Sequence, residues 1–526
     1  MKKLLIKFLF VLPLLVPVAC SDNLNVVNPN EPTLGVLDSE EGFLRLMLGT
    51  YDAFDGVTCN FPWIVSAHHE CMGDAIYIPW GNFSWRWANQ PTKIILDDGT
   101  VVTPPEGGSQ AQELILRNDR AQGDNNAFWL EWASMYRLNN HANLVLAKLD
   151  EGNIEFTGDA ATKQSVSRAW AHFWKGWAYS RIGSLYAAGI INNEFSATNP
   201  DFVSNQEVIA EANSQLDQAI SILQGVSEST DYTTLVERSI PDFMRPNDVP
   251  SPQSWIRIMN TLKARNLLVN KKVRDMTNAD WEAVLSLAEN GLTPDDNILA
   301  LRTADENALF RTCFTPYRVM IGWHFASERL IQDFKEGDNR FGRNFAELAS
   351  PDVNQRGRGI QYGGRYEFIA IENGGDYGTT ISGLASLPIG GSWEEAYLMR
   401  AEALIKTGKI DDGLALIDEV RTAQDAGLDP VTGTGLNEEQ AYEELRRERR
   451  IGLFLRGLPF YDARRWGLTD PLEEGGGRTG CVVLDAAGNL NTNATFDYNY
   501  LDYWGVPDNE LDFNKPAEGA ANVDPI

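Results

Sequence analysis

After residue 19 no apolar run approaches the length a membrane-spanning helix needs, so no helical span is expected in the rest of the chain. Basic residues are in short supply. Lys and Arg number 45 against 73 Asp and Glu, a formal charge of -28 over 526 residues. Such an excess repels phosphate backbones and anionic lipid heads, which argues against nucleic acid and against peripheral headgroup binding. Cysteine is sparse: Cys20, Cys59, Cys71, Cys313 and Cys481 are too few and too scattered for a disulfide scaffold. The many glycines have no Lys-Ser/Thr partner, so there is no phosphate loop. His68-His69-Glu70-Cys71, with Cys59 upstream, holds metal-ligand types without zinc-finger or zincin spacing, and a packed loop is the expectation. No complete helix-loop-helix calcium loop is present either. Neither a metal nor any other cofactor is therefore expected. Carboxylates are abundant, yet no pair stands in a recognisable glycosidase setting.

What the chain does have begins at its first residues. Met1 to Lys7 carries Lys2, Lys3 and Lys7 and no acid; Phe8 to Val18 is apolar apart from Pro13 and Pro17; small residues lead into Cys20. That pattern is a signal peptide over 1-19, too short to remain as a permanent span. A cysteine at the cleavage point, followed by Ser21-Asp22-Asn23, resembles a bacterial lipoprotein box, although Pro17 is uncommon there. Cys20 is then the mature N-terminus and the site of lipidation. Several acyl chains, each burying about 0.8 kcal/mol per methylene, hold a water-soluble body on a membrane. The plainer alternative is an ordinary leader cleaved beside a cysteine. Export leaves the other four cysteines two fates, with Cys59 and Cys71 the pair closest in sequence for a disulfide and buried free thiols an equal option.

Fifteen tryptophans fall in clusters that need different explanations. Asn126 to Leu149 reads as a helix, because Trp129, Trp132, Tyr136, Asn139, Asn143 and Leu146 recur at three and four spacing. Ala161 to Leu185 repeats the pattern with Val166, Trp170, Phe173 and Trp177. Val208 to Leu223 gives a third helix, and Trp255 to Leu262 marks a fourth. These rings form core faces, and Asn139 and Asn143 on the same stripe are expected to bond neighbouring backbone. Glu394-Lys406 and Ile410-Ala423 form a hairpin around Thr407-Gly408-Lys409, similar to a tetratricopeptide unit without its full consensus. Between the helices, 60-110, 228-252, 337-391 and the tail after Gly467 are rich in Gly, Pro and aromatics and lack a clean period. A few short strands are expected within Thr100-Thr103, Arg365-Glu372 and Cys481-Leu484. The fold class is mainly α: an irregular helical-repeat core with a loop-rich second half packed on it.

Glu438 to Leu468 contains Glu443-Glu444-Leu445-Arg446-Arg447-Glu448-Arg449-Arg450, Leu453-Phe454, Gly457 and Tyr461-Asp462-Ala463-Arg464-Arg465-Trp466-Gly467. This resembles the C-terminal signature of the SusD/RagB family of Bacteroidota outer-membrane lipoproteins. Other segments agree in order: Cys20 with Asp22, Leu24, Val26 and Pro29; Trp132, Tyr136 and Asn143; Glu395 to Leu398 with Ala401 to Leu404 and Gly408; and Trp504-Gly505-Val506-Pro507 with Glu510. The pattern departs at Asn514-Lys515-Pro516, which replaces the usual adjacent asparagine-proline pair. The resemblance implies one SusD-like body over 20-526, its N-terminal part about 20-300 and its C-terminal part about 301-526. It also implies a surface protein that binds oligosaccharide or peptide nutrients and delivers them to a SusC-like TonB-dependent outer-membrane transporter, with no chemistry of its own. A lipid-anchored glycan hydrolase and a helical adaptor without a small ligand are the alternatives.

Two groups of residues invite a site. Arg446, Arg447, Arg449, Arg450 and Arg456 crowd one helix; interleaved acids favour ion pairs with Glu402, Asp418, Glu448 and Asp462 over anion capture. Trp63, Tyr77, Trp80, Phe83, Trp85 and Trp87 lie in a Gly/Pro-containing segment without helical period. Flat rings stack on the apolar C-H faces of sugars, so Trp80, Asn82, Trp85 and Arg86 are the candidate platform, against rings that simply pack on the core. Tyr317 and Trp323 supply a second arm by approximate position in the family.

Overall fold

The computed structural model describes residues 34-55, 64-105, 108-302, 322-354, 357-379 and 384-526. Cys20, Cys59, Trp63, Cys313 and Tyr317 lie outside them. The leading helices are α1 (Glu40–Gly49), α2 (Ser66–Met72), α3 (Ala127–Glu151), α4 (Ala160–Leu185), α5 (Asn205–Leu223), α6 (Thr230–Ser239), α7 (Pro252–Val269), α8 (Asn278–Glu289), α9 (Trp393–Lys406), α10 (Ile410–Ala423), α11 (Glu438–Gly452) and α12 (Pro459–Arg465). Their ends follow local chemistry. Asn126 caps α3 by accepting from Phe128 N, and Gly152 closes it at φ 69°. Ser204 and Glu207 form a capping box at α5, and Asn437 and Gln440 form one at α11. Pro252 opens α7 in its first turn behind the Ser251 cap.

Helices pack in series, α3 on α4, α4 on α5, α5 on α7, α7 on α8, α8 on α9, with α10 and α11 both against α9. This is the helical-repeat core. The tryptophans on it are spent on packing: Trp132, Trp170, Trp174, Trp177 and Trp255 are all buried. Most of their indole N-H groups find partners, Trp170 and Trp174 on Tyr51 Oη at 2.8 and 3.2 Å and Trp177 on Ile389 O at 2.8 Å, whereas that of Trp255 is buried without one among the described residues. Asn139 and Asn143 donate to Asn192 O at 2.8 and 2.9 Å, the backbone bonding their place on the stripe predicts. Gly408 turns the α9-α10 hairpin at φ 85°.

The irregular stretches contain more order than their sequence suggests. Strands β1 (Lys93–Ile95), β2 (Val101–Val102), β3 (Phe345–Val353), β4 (Tyr362–Phe368), β5 (Arg478–Asp485) and β6 (Leu490–Asp497) form one antiparallel sheet in the order β2-β1-β6-β5-β4-β3. Its strands come from both ends of the chain. The C-terminal motif then closes onto α3: Trp504 stacks on Phe128 at 5.1 Å, and Glu510 accepts from Trp132 Nε1 at 3.2 Å. Asn514, where the family pattern departs, donates to Asn199 O at 2.9 Å and fixes the tail there. Cys71 and Cys481 are buried free thiols.

The arginine-rich region is structural, with a partner list that only partly matches expectation. Arg449 Nε meets Asp462 at 2.9 Å, and Asp462 also accepts from Arg465 at 2.7 Å. Arg465, fully buried, grips Glu402 through both nitrogens at 2.6 and 2.8 Å. Glu448 serves Arg340 and Arg421 rather than an arginine of its own helix. Asp418 pairs with no arginine of this group; it accepts from the backbone of Val431 and Thr432, capping a loop that its sequence neighbours do not reveal. Arg450 reaches across the molecule to Asp333, Gly73 O and Asp74 O.

Candidate functional site

A two-residue antiparallel pairing assembles the candidate site. Ile76 pairs with Ala326 and Tyr77 with Phe325, which brings the segment after Tyr77 against the segment before Phe325. Trp80 Nε1 donates to Trp323 O at 3.0 Å across 243 positions. The two arms expected from sequence therefore meet. Trp323 is 46% exposed, Asn82 is exposed and Trp80 is half-buried, so these three side chains remain within reach of a ligand.

The loop is held in shape by its own strained turn. Phe83 and Ser84 both adopt left-handed conformations, φ 54° and 60°, uncommon for residues with a Cβ. Arg86 N bonds Trp80 O at 3.1 Å and closes the turn. Beneath it, His68 Nε2 bonds Phe83 O at 2.7 Å, and burial lowers that imidazole to about 4, so its nitrogen is a neutral donor. His68-His69-Glu70-Cys71 is thus a buried support: His69 binds Glu131 at 2.9 Å and Glu70 accepts from Gly457 N at 2.7 Å.

Two of the expected ligand residues point the other way. Trp85 is 0% exposed, donates to Ile64 O at 3.2 Å and takes the edge of the His324 ring at 4.8 Å. Arg86, also 0% exposed, donates to Arg358 O at 2.9 Å, to Ile360 O and to Asn89 Oδ1 at 3.2 Å, with its guanidinium over the Tyr362 ring at 4.7 Å. Neither is available to a ligand in this arrangement. They anchor the loop to β4 and to the residues after Trp323, and the left-handed turn between Asn82 and Trp85 is the reason: it separates outward side chains from inward ones. His324 completes the anchor, buried with neither ring nitrogen hydrogen-bonded among the described residues; burial lowers it to about 3 and keeps it neutral. Tyr317, the remaining expected contact, is outside the described residues.

One residue that the sequence reading passed over belongs here. Arg358 is half-buried against Gly81, so close that a Cβ on Gly81 would lie 2.7 Å from its Nη1. Its only sequence signal is a cation among glycines, which marks nothing by itself. Exposed indole, exposed amide and a guanidinium side by side suit a ligand with apolar faces and many hydroxyls. Among the described residues no cluster of three or more His, Cys, Asp or Glu is arranged to hold a metal ion, and no helix is long and apolar enough to cross a membrane.

Comparisons with known proteins converge. Residues 395-520 match the model of the SusD family. No curated protein matches the chain. A SusD-like protein from Bacteroides fragilis NCTC 9343 superposes with a TM-score of 0.57 at 14% identity, covering 92% of this chain and 97% of its own. A SusD-like carbohydrate binding protein from Bacteroides vulgatus ATCC 8482 gives 0.55 at 15% identity over 92% and 98%. A further structure, described as containing xylogluco-oligosaccharide, gives 0.55 at 14% identity over 91% and 98%. At such low identity these likenesses establish the fold, and the match over 395-520 covers the arginine-rich helix and the C-terminal motif. The chain thus carries a segment, 395-520, that matches the SusD family model, within a fold similar to that of SusD-like proteins.

Proposed function

We propose that this protein is a cell-surface lipoprotein that binds oligosaccharide and passes it to a SusC-like TonB-dependent transporter in the outer membrane. Acylation at Cys20 anchors it there, and it binds without transforming its ligand. The observation that carries the reading is the Trp80-Trp323 junction, where two loops far apart in sequence are locked together with accessible aromatic and amide groups. Indole faces stack on sugar C-H faces, while Asn82 and Arg358 bond hydroxyls. The relatives described as carbohydrate binding or as holding a xylogluco-oligosaccharide support a glycan over a peptide. The helical-repeat face is left for the transporter, so that the body acts as a lid over the channel.

The test is binding of a glycan and peptide panel to purified protein, with products assayed in parallel. Depletion of an intact oligosaccharide, lost in Trp80→Ala and in Trp323→Ala with the unfolding midpoint unchanged, is expected. Full binding by both variants refutes the site, released products refute the absence of chemistry, and a peptide-only response refutes the ligand class. Capture of a β-barrel receptor from detergent-solubilised outer membranes tests the partner.

A further inference from the structure

A second concave surface shares no residue with the Trp80-Trp323 loops. It is an open cleft of about 660 Å3 where α9 begins and α10 ends, walled also by the turn after α11 and by the Asp376-Tyr377 loop. That volume falls in the range of small-molecule sites. Three features of its lining bear on what it takes.

Its charges are paired and fixed. Arg343 bonds Asp376 Oδ2 and Gln424 O, each at 2.8 Å, and Arg456 bonds Glu394 Oε1 at 3.1 Å. With Asp425 also on the wall, three carboxylates face two guanidinium groups, a poor setting for an anion. An apolar helix seated there would strip water from the same groups without replacing their hydrogen bonds. Adjacent hydroxyls, in contrast, match planar forks of both kinds, guanidinium groups that donate and carboxylates that accept. The second feature is Trp393, half-buried in the wall and held edge-on by Tyr397 at 5.1 Å, which supplies an aromatic surface. The third is backbone strain. Seven non-glycine residues among those described have positive φ, and two of them, Asp425 at 52° and Leu455 at 55°, line this cleft. Phe83 and Ser84 in the first site are two more. Strain of this kind gathers where surrounding structure holds a surface in a set shape.

We propose that this cleft is a second binding site for a neutral oligosaccharide chain. The class of ligand rests on the reading given above, whereas the place and its lining do not. The test is isothermal titration of the full soluble body with cellohexaose, maltohexaose and a xylogluco-oligosaccharide as separate probes. Leu384 sits on the rim of the cleft and is 46% exposed, so Leu384→Arg obstructs the mouth without removing core packing. Trp393→Ala is the companion variant. Two sites per molecule are expected with one of the probes. Leu384→Arg and Trp393→Ala should each weaken one of them by roughly tenfold or more, and Trp323→Ala should weaken the other. Two intact sites in Leu384→Arg, folded by its unfolding midpoint, overturn the proposal. One site, lost in Trp323→Ala and kept in Leu384→Arg, also overturns it and leaves the first reading standing. One site with the reverse pattern supports the cleft and overturns the first reading; no binding of any saccharide overturns both.

Discussion

Replacing Arg450 by Met tests whether the arginine-rich helix holds the body together. Its side chain is 9% exposed and donates three bonds: to Asp333 at 2.5 Å and to the carbonyls of Gly73 and Asp74 at 3.0 Å each. Methionine restores the apolar stem and none of the donors. Asp333 retains Arg478, so one carboxylate is weakened rather than abandoned. The two carbonyls at the end of α2 lose this donor, at about 1 to 3 kcal/mol apiece where no water replaces it. Breaking a buried ion pair from one side typically costs about 3 to 5 kcal/mol, and about 4 kcal/mol is expected here. The control is Arg446→Met on the same helix. Arg446 is 32% exposed, lies 3.7 Å from Glu443 and sits over the Trp466 ring, contacts together worth about 1 kcal/mol at most. Equilibrium urea unfolding of both variants reads the difference. Equal losses, or an Arg450→Met protein within about 1 kcal/mol of the parent that no longer binds an anionic sugar, would refute the structural assignment and restore anion capture.

Three further outcomes follow from the geometry. Burial pushes Glu70 up from 4.5 to about 8, so the folded state keeps a proton that the unfolded chain releases across that window; stability therefore falls as pH rises from 4.5 to 8, by roughly 5 kcal/mol over the full span. Glu70→Gln should flatten the decline in unfolding midpoint between pH 5 and 8, and an unchanged slope would contradict the burial argument. Trp85→Ala should lower stability by about 3 to 5 kcal/mol by calorimetry, because the ring is wholly enclosed; a change below about 1 kcal/mol would return it to the ligand surface. Gly81→Ala displaces the flexible Arg358 end and should weaken oligosaccharide binding in a titration at nearly unchanged stability, whereas full affinity would remove Arg358 from the site.

The long helices were legible because burial imposes a 3.6-residue period that needs no knowledge of the partner. Trp170 and Trp177, or Leu216 and Leu223, declare a face whatever packs on it. Of the six-stranded sheet, parts of β2, β4 and β5 were legible as short strands, while the other three strands and the pairing were not, for the opposite reason. β5 and β6 mix exposed and buried positions and shift register, and β6 pairs with β1 from the other end of the chain. Short half-buried strands of that kind carry no period of their own. Asp418 illustrates the same limit among charges, since its loop partners announce nothing in sequence.

Local composition alone thus determined the acidic character, the helical core and the arginine-rich signature, since each is written in neighbouring residues. Which aromatics face outward was decided by tertiary structure. Trp80 and Trp85 stand in the same aperiodic segment, and the left-handed turn at Phe83-Ser84, the support of His68 and the Ile76-Ala326 pairing place one at the Trp323 junction and the other in the core. Side-chain direction in an irregular loop depends on φ at a few residues and on distant contacts, and neither has a period that a linear reading can detect.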